Sequence, residues 1–267
     1  QSWKYTMPAF LVPFMFVLDP AGLGLLLMGS FKKLAAAPWA DVALVSVTAM
    51  AGIAALAASI GIPVVLLDIP GSDDPKSPDR SGPAKKGLEK AIKAKPAAFL
   101  DTDRAALVTT GNTADHLDLL ARCDWIVEAI IEKPQPKQEL FAKIEQLAPH
   151  AIVTSNTSGI PMAILLEGRS ERFRKQFCGT HYFNPPRYMH LVELIACRES
   201  EPSMLDNLEK FLVTTLGKGV IRAKDTPNFI GNRIGSMWGS TTFKYAIEDD
   251  FTVEEVDAIT GSLIGLP

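Results

Sequence analysis

A chain of 267 residues, 47% apolar and 21% charged with a net charge of −3, has a globular composition and the length for one large domain and part of a second. Its mild acidity gives no electrostatic reason to expect nucleic acid, whose binders carry a basic face. Three cysteines, Cys123, Cys178 and Cys197, form no CxxC or other metal spacing, so no metal site is expected. An odd, sparse set fits free thiols in a reducing compartment.

The character changes along the chain. Residues 7–29 carry one charge, Asp19, and residues 42–67 carry none. Each run reaches the roughly 20 residues needed to cross a hydrocarbon core, so membrane association through 7–29 is an expectation. No basic region precedes the first run, which argues against a signal peptide. With Gln1 at one end and Gly265-Leu266-Pro267 at the other, the sequence reads as a fragment.

Val42–Val47 is β-compatible, and the Ala-rich stretch Thr48–Ile60 after it has high helix propensity. Pro63–Ile69 is an apolar run containing Asp68 near its end, as a buried parallel strand should look. A Pro/Gly/Ser/Asp stretch from Pro70 to Pro83 is a loop, and Lys85–Lys95 a solvated helix. Further strands are expected at Ala106–Thr110, Trp125–Ile131, Ala151–Ser155, Gln176–Tyr182, Leu191–Cys197 and Gly219–Ala223. Between them, Leu140, Phe141, Ile144 and Leu147 mark one amphipathic helix, and Met204, Leu208, Phe211 and Leu212 another. Past Pro227 the pattern is helical, and Thr252-Val253-Glu254-Glu255 is a capping box. Strands alternating with helices predict an α/β fold with a doubly wound, mostly parallel sheet. Three segments follow: an apolar helical extension over 1–40, the sheet domain over 41–224, and the start of an all-helical domain over 225–267.

Glu193 stands out because it sits inside the apolar run Leu191–Ile195. A buried carboxylate needs a partner, and His181, at the end of the neighbouring strand, is the candidate. A carboxylate on one imidazole nitrogen fixes the tautomer and leaves the other as a base. The plainer alternative is a structural ion pair or a satisfied core histidine.

The surrounding words narrow the choice. Gly179-Thr180-His181-Tyr182-Phe183-Asn184-Pro185 followed by Leu191-Val192-Glu193 resembles the signature of the 3-hydroxyacyl-CoA dehydrogenase family. So do Ser155-Asn156-Thr157-Ser158, the run Val127–Glu132, and Leu216-Gly217-Lys218 leading to Asp225–Arg233. The order and spread of these motifs, over about 59–267, is similar to the long bacterial members, in which the dehydrogenase is joined to an enoyl-CoA hydratase. The resemblance implies a Rossmann-like dinucleotide-binding domain that uses NAD and oxidises (S)-3-hydroxyacyl-CoA to 3-oxoacyl-CoA in fatty-acid β-oxidation. It implies an acyl-CoA as the bound partner, a cytoplasmic enzyme, and a homodimer in complete relatives. By motif, His181 is similar to the base and Glu193 to the acid that orients it. Ser158 and Asn232 match positions that hydrogen-bond the substrate 3-oxygen, and Asn184 one that supports the site. Glu132 and Lys137 match positions beside the nicotinamide and ligand, and Asp68 the acid that binds the adenosine ribose.

One part of the pattern is missing. A GxGxxG turn should join the first strand to the first helix, so that backbone N–H groups can approach the pyrophosphate. Aligned back from Gly52-Ile53-Ala54, its three positions are Val45, Val47 and Met50. Upstream, Thr6–Val17 resembles the closing segments of the large membrane subunit of tripartite ATP-independent periplasmic (TRAP) transporters, and Trp39 to about Ala58 continues in that style. Two rival readings follow: a transporter fragment fused to an inactive dehydrogenase remnant, and a remnant that binds acyl-CoA without catalysis.

Overall fold

The computed structural model describes residues 42–46 and 51–261. The apolar extension over 1–40 lies outside the described residues, as does the start of the helix predicted from Thr48.

In chain order, β1 (Val42–Ser46) leads to α1 (Ala51–Ser59), β2 (Val64–Asp68), α2 (Gly82–Ile92) and β3 (Val108–Asn112). β4 (Trp125–Ala129), α3 (Pro134–Leu147) and β5 (Ile152–Ser155) follow, then two short helices, α4 (Met162–Leu165) and α5 (Glu171–Lys175). β6 (Phe177–Tyr182), β7 (Leu191–Ala196), α6 (Pro202–Thr214) and β8 (Gly219–Lys224) complete the sheet, and α7 (Gly231–Glu248) and α8 (Val253–Thr260) come after it. The strand order is β3-β2-β1-β4-β5-β6-β7-β8, with all neighbours parallel except the β6/β7 pair. This is the doubly wound arrangement predicted, and its switch point lies between β1 and β4, where ligands bind in open α/β sheets.

Apolar residues alternate between the faces of each buried strand. Val64 and Leu66 join α1, α2, α6 and Trp125 on one face, while Val65 and Leu67 join Ile126, Phe141, Phe173 and Phe177 on the other. α1 is apolar all round because nearly every residue in it is buried. The rings of Phe141 and Phe177, 5.2 Å apart, and of Trp125 and Phe211, 5.6 Å apart, fix the helices against the sheet.

Several predicted boundaries move. β3 begins at Val108 rather than Ala106, because Thr102–Leu107 winds into a 3-10 helix whose first turn is capped by the Asp101 carboxylate, accepting from Asp103 N. α2 begins at Gly82 rather than Lys85, since Pro83 suits the first helical turn. β4 ends at Ala129, as the Glu128 carboxylate takes up Ile130 N–H and turns the chain off the ladder.

Candidate active site

The sheet brings the predicted residues to one end. Asp68, Ala129, Ser155 and Tyr182 are the last residues of β2, β4, β5 and β6, and antiparallel β7 starts at that same end. His181 and Glu193 are direct cross-strand partners. His181 Nδ1 lies 2.6 Å from Glu193 Oε2, with His181 4% and Glu193 0% exposed. The other carboxylate oxygen, Oε1, accepts from the N–H groups of Ile230 (2.8 Å) and Gly231 (2.7 Å) at the start of α7. One anion therefore orients the imidazole and takes up two donors of a helix end that would otherwise be orphaned. With Nδ1–H donating to Glu193, the lone pair sits on Nε2. Phe183 and Phe229 flank the ring at 4.7 and 5.8 Å. Asn228 and Phe229 hold left-handed backbone (φ 62 and 46), turning the chain into α7 with Phe229 buried.

Asn232, one residue beyond Gly231, donates from Nδ2 to Ser158 O at 3.2 Å, so the helical segment reaches the β5 end at Ser158. Ser158 is exposed, and its N–H donates to Glu132 Oε1 at 2.8 Å. Asn184 stands apart from this group. It lies in the exposed turn after β6 and lines a cavity of about 430 Å³ with Gly52, Lys90, Ala91 and Pro186.

Glu132 and Lys137 belong to a network that also contains Glu128. Lys137 is fully buried, 2.6 Å from Glu128 Oε1 and 3.4 Å from Glu132 Oε2, and the Ser155 hydroxyl donates to Glu128 Oε2 at 2.6 Å. Burial pushes the Glu128 carboxyl above its usual range, against the pull of Lys137. Burial acts the same way on Glu132, but the Thr157 hydroxyl, Lys137 and Ser158 N–H outweigh it and hold that carboxyl below the usual range. Of the pair expected beside the ligand, only Glu132 is accessible; Lys137 faces protein and anchors it. The signal for Glu128 was the one that marks Glu193: a carboxylate inside an apolar strand.

Asp68 is 3% exposed and takes Ile69 N–H at 2.7 Å. Its strand partner Asn112 donates to Ser81 Oγ and Asp115 Oδ2, and Arg80 grips Asp115 through Nε and Nη2 at 2.6 and 2.8 Å. That grip holds Asp115 down at about 2. Asp68 and the β1/β4 switch point suit the adenosine end of NAD. The pyrophosphate end does not. β1 pairs Val45 with Leu67 and Glu128, so the first of the three positions lies on the strand itself and is not glycine; Val47 and Met50 lie outside the described residues.

Comparison with known proteins agrees with this fold. Residues 42–226 match the family described as 3-hydroxyacyl-CoA dehydrogenase, NAD binding domain. A probable 3-hydroxyacyl-CoA dehydrogenase of Deinococcus radiodurans is 47% identical over 216 residues, which is 80% of this chain and 62% of that protein. One of Bacillus subtilis is 42% identical over 81% of this chain, but only 29% of its own length is covered. The crystal structure of (S)-3-hydroxybutyryl-CoA dehydrogenase from Ralstonia eutropha superposes with a TM-score of 0.68 at 27% identity, covering 86% of this chain and 79% of that one. The chain thus spans less than two thirds of the first relatives it matches, and the family match begins at residue 42 rather than about 59, so the transporter resemblance expected from Trp39 to about Ala58 is not supported; residues 1–41 lie outside the match. Among the described residues no helix is long and apolar enough to cross a membrane. With its sheet order, its motifs and its match all in agreement, the chain belongs to the 3-hydroxyacyl-CoA dehydrogenase family.

Proposed function

We propose that the site serves the interconversion of (S)-3-hydroxyacyl-CoA and NAD with 3-oxoacyl-CoA and NADH, and that the missing glycines weaken it in this chain. The buried 2.6 Å contact between His181 and Glu193 carries the reading. His181 Nε2 removes the proton of the 3-hydroxyl while Glu193 keeps Nδ1 protonated and stabilises the imidazolium that forms. Ser158 and Asn232 hold the 3-oxygen, Glu132 faces the cofactor side, and Asn184 supports the substrate side. Imidazole suits this work because it exchanges a proton near neutral pH.

An acyl-CoA is the partner of the site. Homodimerisation is the second interaction we infer. α7 has no buried residue, and its Met237, Phe243 and Ile247, with Val253 at the start of α8, are 67, 69, 80 and 73% exposed, a surface that a second copy would cover. The acyl-CoA-binding remnant is the competing reading, favoured by Val45, Val47 and Met50 alone.

The test is reduction of acetoacetyl-CoA by NADH in a chain carrying Val45→Gly, Val47→Gly and Met50→Gly. Adding His181→Gln should cost at least ~10²-fold in turnover, the scale of a lost general base. Equal turnover with and without His181 would sink the assignment.

A further inference from the structure

Lys218 is 3% exposed, and among the described residues no salt bridge joins its ammonium to a carboxylate. Its Nζ donates to Pro186 O and to Met189 O (3.1 Å), both in the connection between β6 and β7. A buried cation without a counter-charge is costly, and burial pushes Lys218 down to about 8. An apolar side chain of similar length would fill the space without that cost, so what the position uses is the amine's donors.

The neighbouring sequence is shaped around this contact. Gly217 takes φ +66 to leave α6, and Lys218 N–H closes onto Leu212 O at 2.9 Å. A Cβ on Gly219 would come within 2.7 Å of His190 Cδ2, and Gly219 N–H donates to His190 O at 2.9 Å. Glycine on both sides lets the backbone run close beneath the connection. From the opposite side, the Pro186 ring packs on the first turn of α1, where a Cβ on Gly52 would meet it at 3.0 Å. Arg187 Nη1 donates to Ala97 O and Phe99 O at 2.8 and 2.7 Å. The connection leaves β6 through Phe183, whose ring touches His181, and then carries Asn184.

We propose that Lys218 is a positioning residue: by holding the carbonyls of Pro186 and Met189 it fixes the chain between His181 and Glu193, and with it Phe183 against the imidazole and Asn184 and Pro186 over the start of α1. The link to turnover rests on the dehydrogenase reading; the hold on the connection does not.

Two measurements separate these. Hydrogen exchange reads the amides of Tyr188 and Met189, which bond Pro185 O at 3.0 and 2.9 Å, and that of Gly219. In Lys218→Met they should exchange about tenfold faster, the scale of one charge-assisted hydrogen bond, while strand amides of β6 and β7 keep their protection. In the glycine-restored chain, Lys218→Met should lower kcat for acetoacetyl-CoA about tenfold with KM within about twofold, since ligand contacts stay and geometry slackens. Lys218→Arg, which keeps charge and donors, should recover most of both. If Lys218→Met does not fold, Lys218→Gln keeps two donors on a shorter stem and should move both readouts the same way by less. Unchanged exchange overturns the anchoring, and faster exchange with unchanged kcat overturns the positioning role. Absence of turnover in every chain overturns the dehydrogenase reading and the kinetic half of this proposal, while exchange still decides the anchoring.

Discussion

The two ends of the cleft differ in what their residues are for. At the β6–β7 end, side chains serve fold and site together: Glu193 bonds His181, and its second oxygen holds the first amides of α7. At the β1–α1 end, fold and site come apart. β1 is paired on both edges, with β2 and β4, and α1 is buried almost throughout, although none of the three turn glycines is present. Burial and pairing build the strand and helix there; the glycines would serve a ligand's approach. The strand and helix are thus built without the glycines of the turn motif.

Breaking the first end should have the largest effect. Glu193→Ala leaves a buried imidazole and two helix-end amides without their acceptor, so it should lower stability by about 3 kcal/mol, read as a drop in Tm, and abolish turnover in the chain with the three glycines restored. Restoring the second end should trade the other way. Val45→Gly within β1 should cost about 1 kcal/mol of stability, seen as a fall in the denaturant midpoint, while the triple glycine chain gains a ligand. A variant whose stability is unchanged would show that Val45 contributes nothing to the strand.

Much of this was legible in the sequence, and the reasons for the rest are physical. Apolar runs gave the strands because both faces of the sheet are covered, and the carboxylate in the middle of one such run pointed to His181. The shift of β3 came from a local hydrogen bond, Asp101 to Asp103 N, which competes with the strand and leaves no periodic trace. The burial of Lys137 depends on Glu128 facing it across β4 and α3, a pairing that exists only after folding. The left-handed Asn228-Phe229 turn was hidden too: asparagine visits positive φ more readily than most residues, but Phe229 beside it gives no such sign.

The smallest effect is expected just past β3, at the Arg80–Asp115 pair. Asp115 is held at about 2 against an ordinary value of 3.8, chiefly by Arg80, so its folded pKa is depressed. The stability it adds is fully present above 3.8 and lost as pH falls through about 2. Asp115→Asn should flatten the acid limb of a stability-against-pH curve between those values and leave neutral pH nearly unchanged, because the pair is exposed. A limb of unchanged slope would show that Arg80 does little for Asp115 in solution.

Calorimetric titration of NADH tests the contrast between the two ends most directly. The unaltered chain should show no binding at micromolar NADH despite Asp68, because Val45, Val47 and Met50 stand where the motif needs glycines that let backbone N–H groups approach the pyrophosphate. The chain with Val45→Gly, Val47→Gly and Met50→Gly should bind measurably. Micromolar binding by the unaltered chain would contradict this and place the pyrophosphate on some other part of the protein.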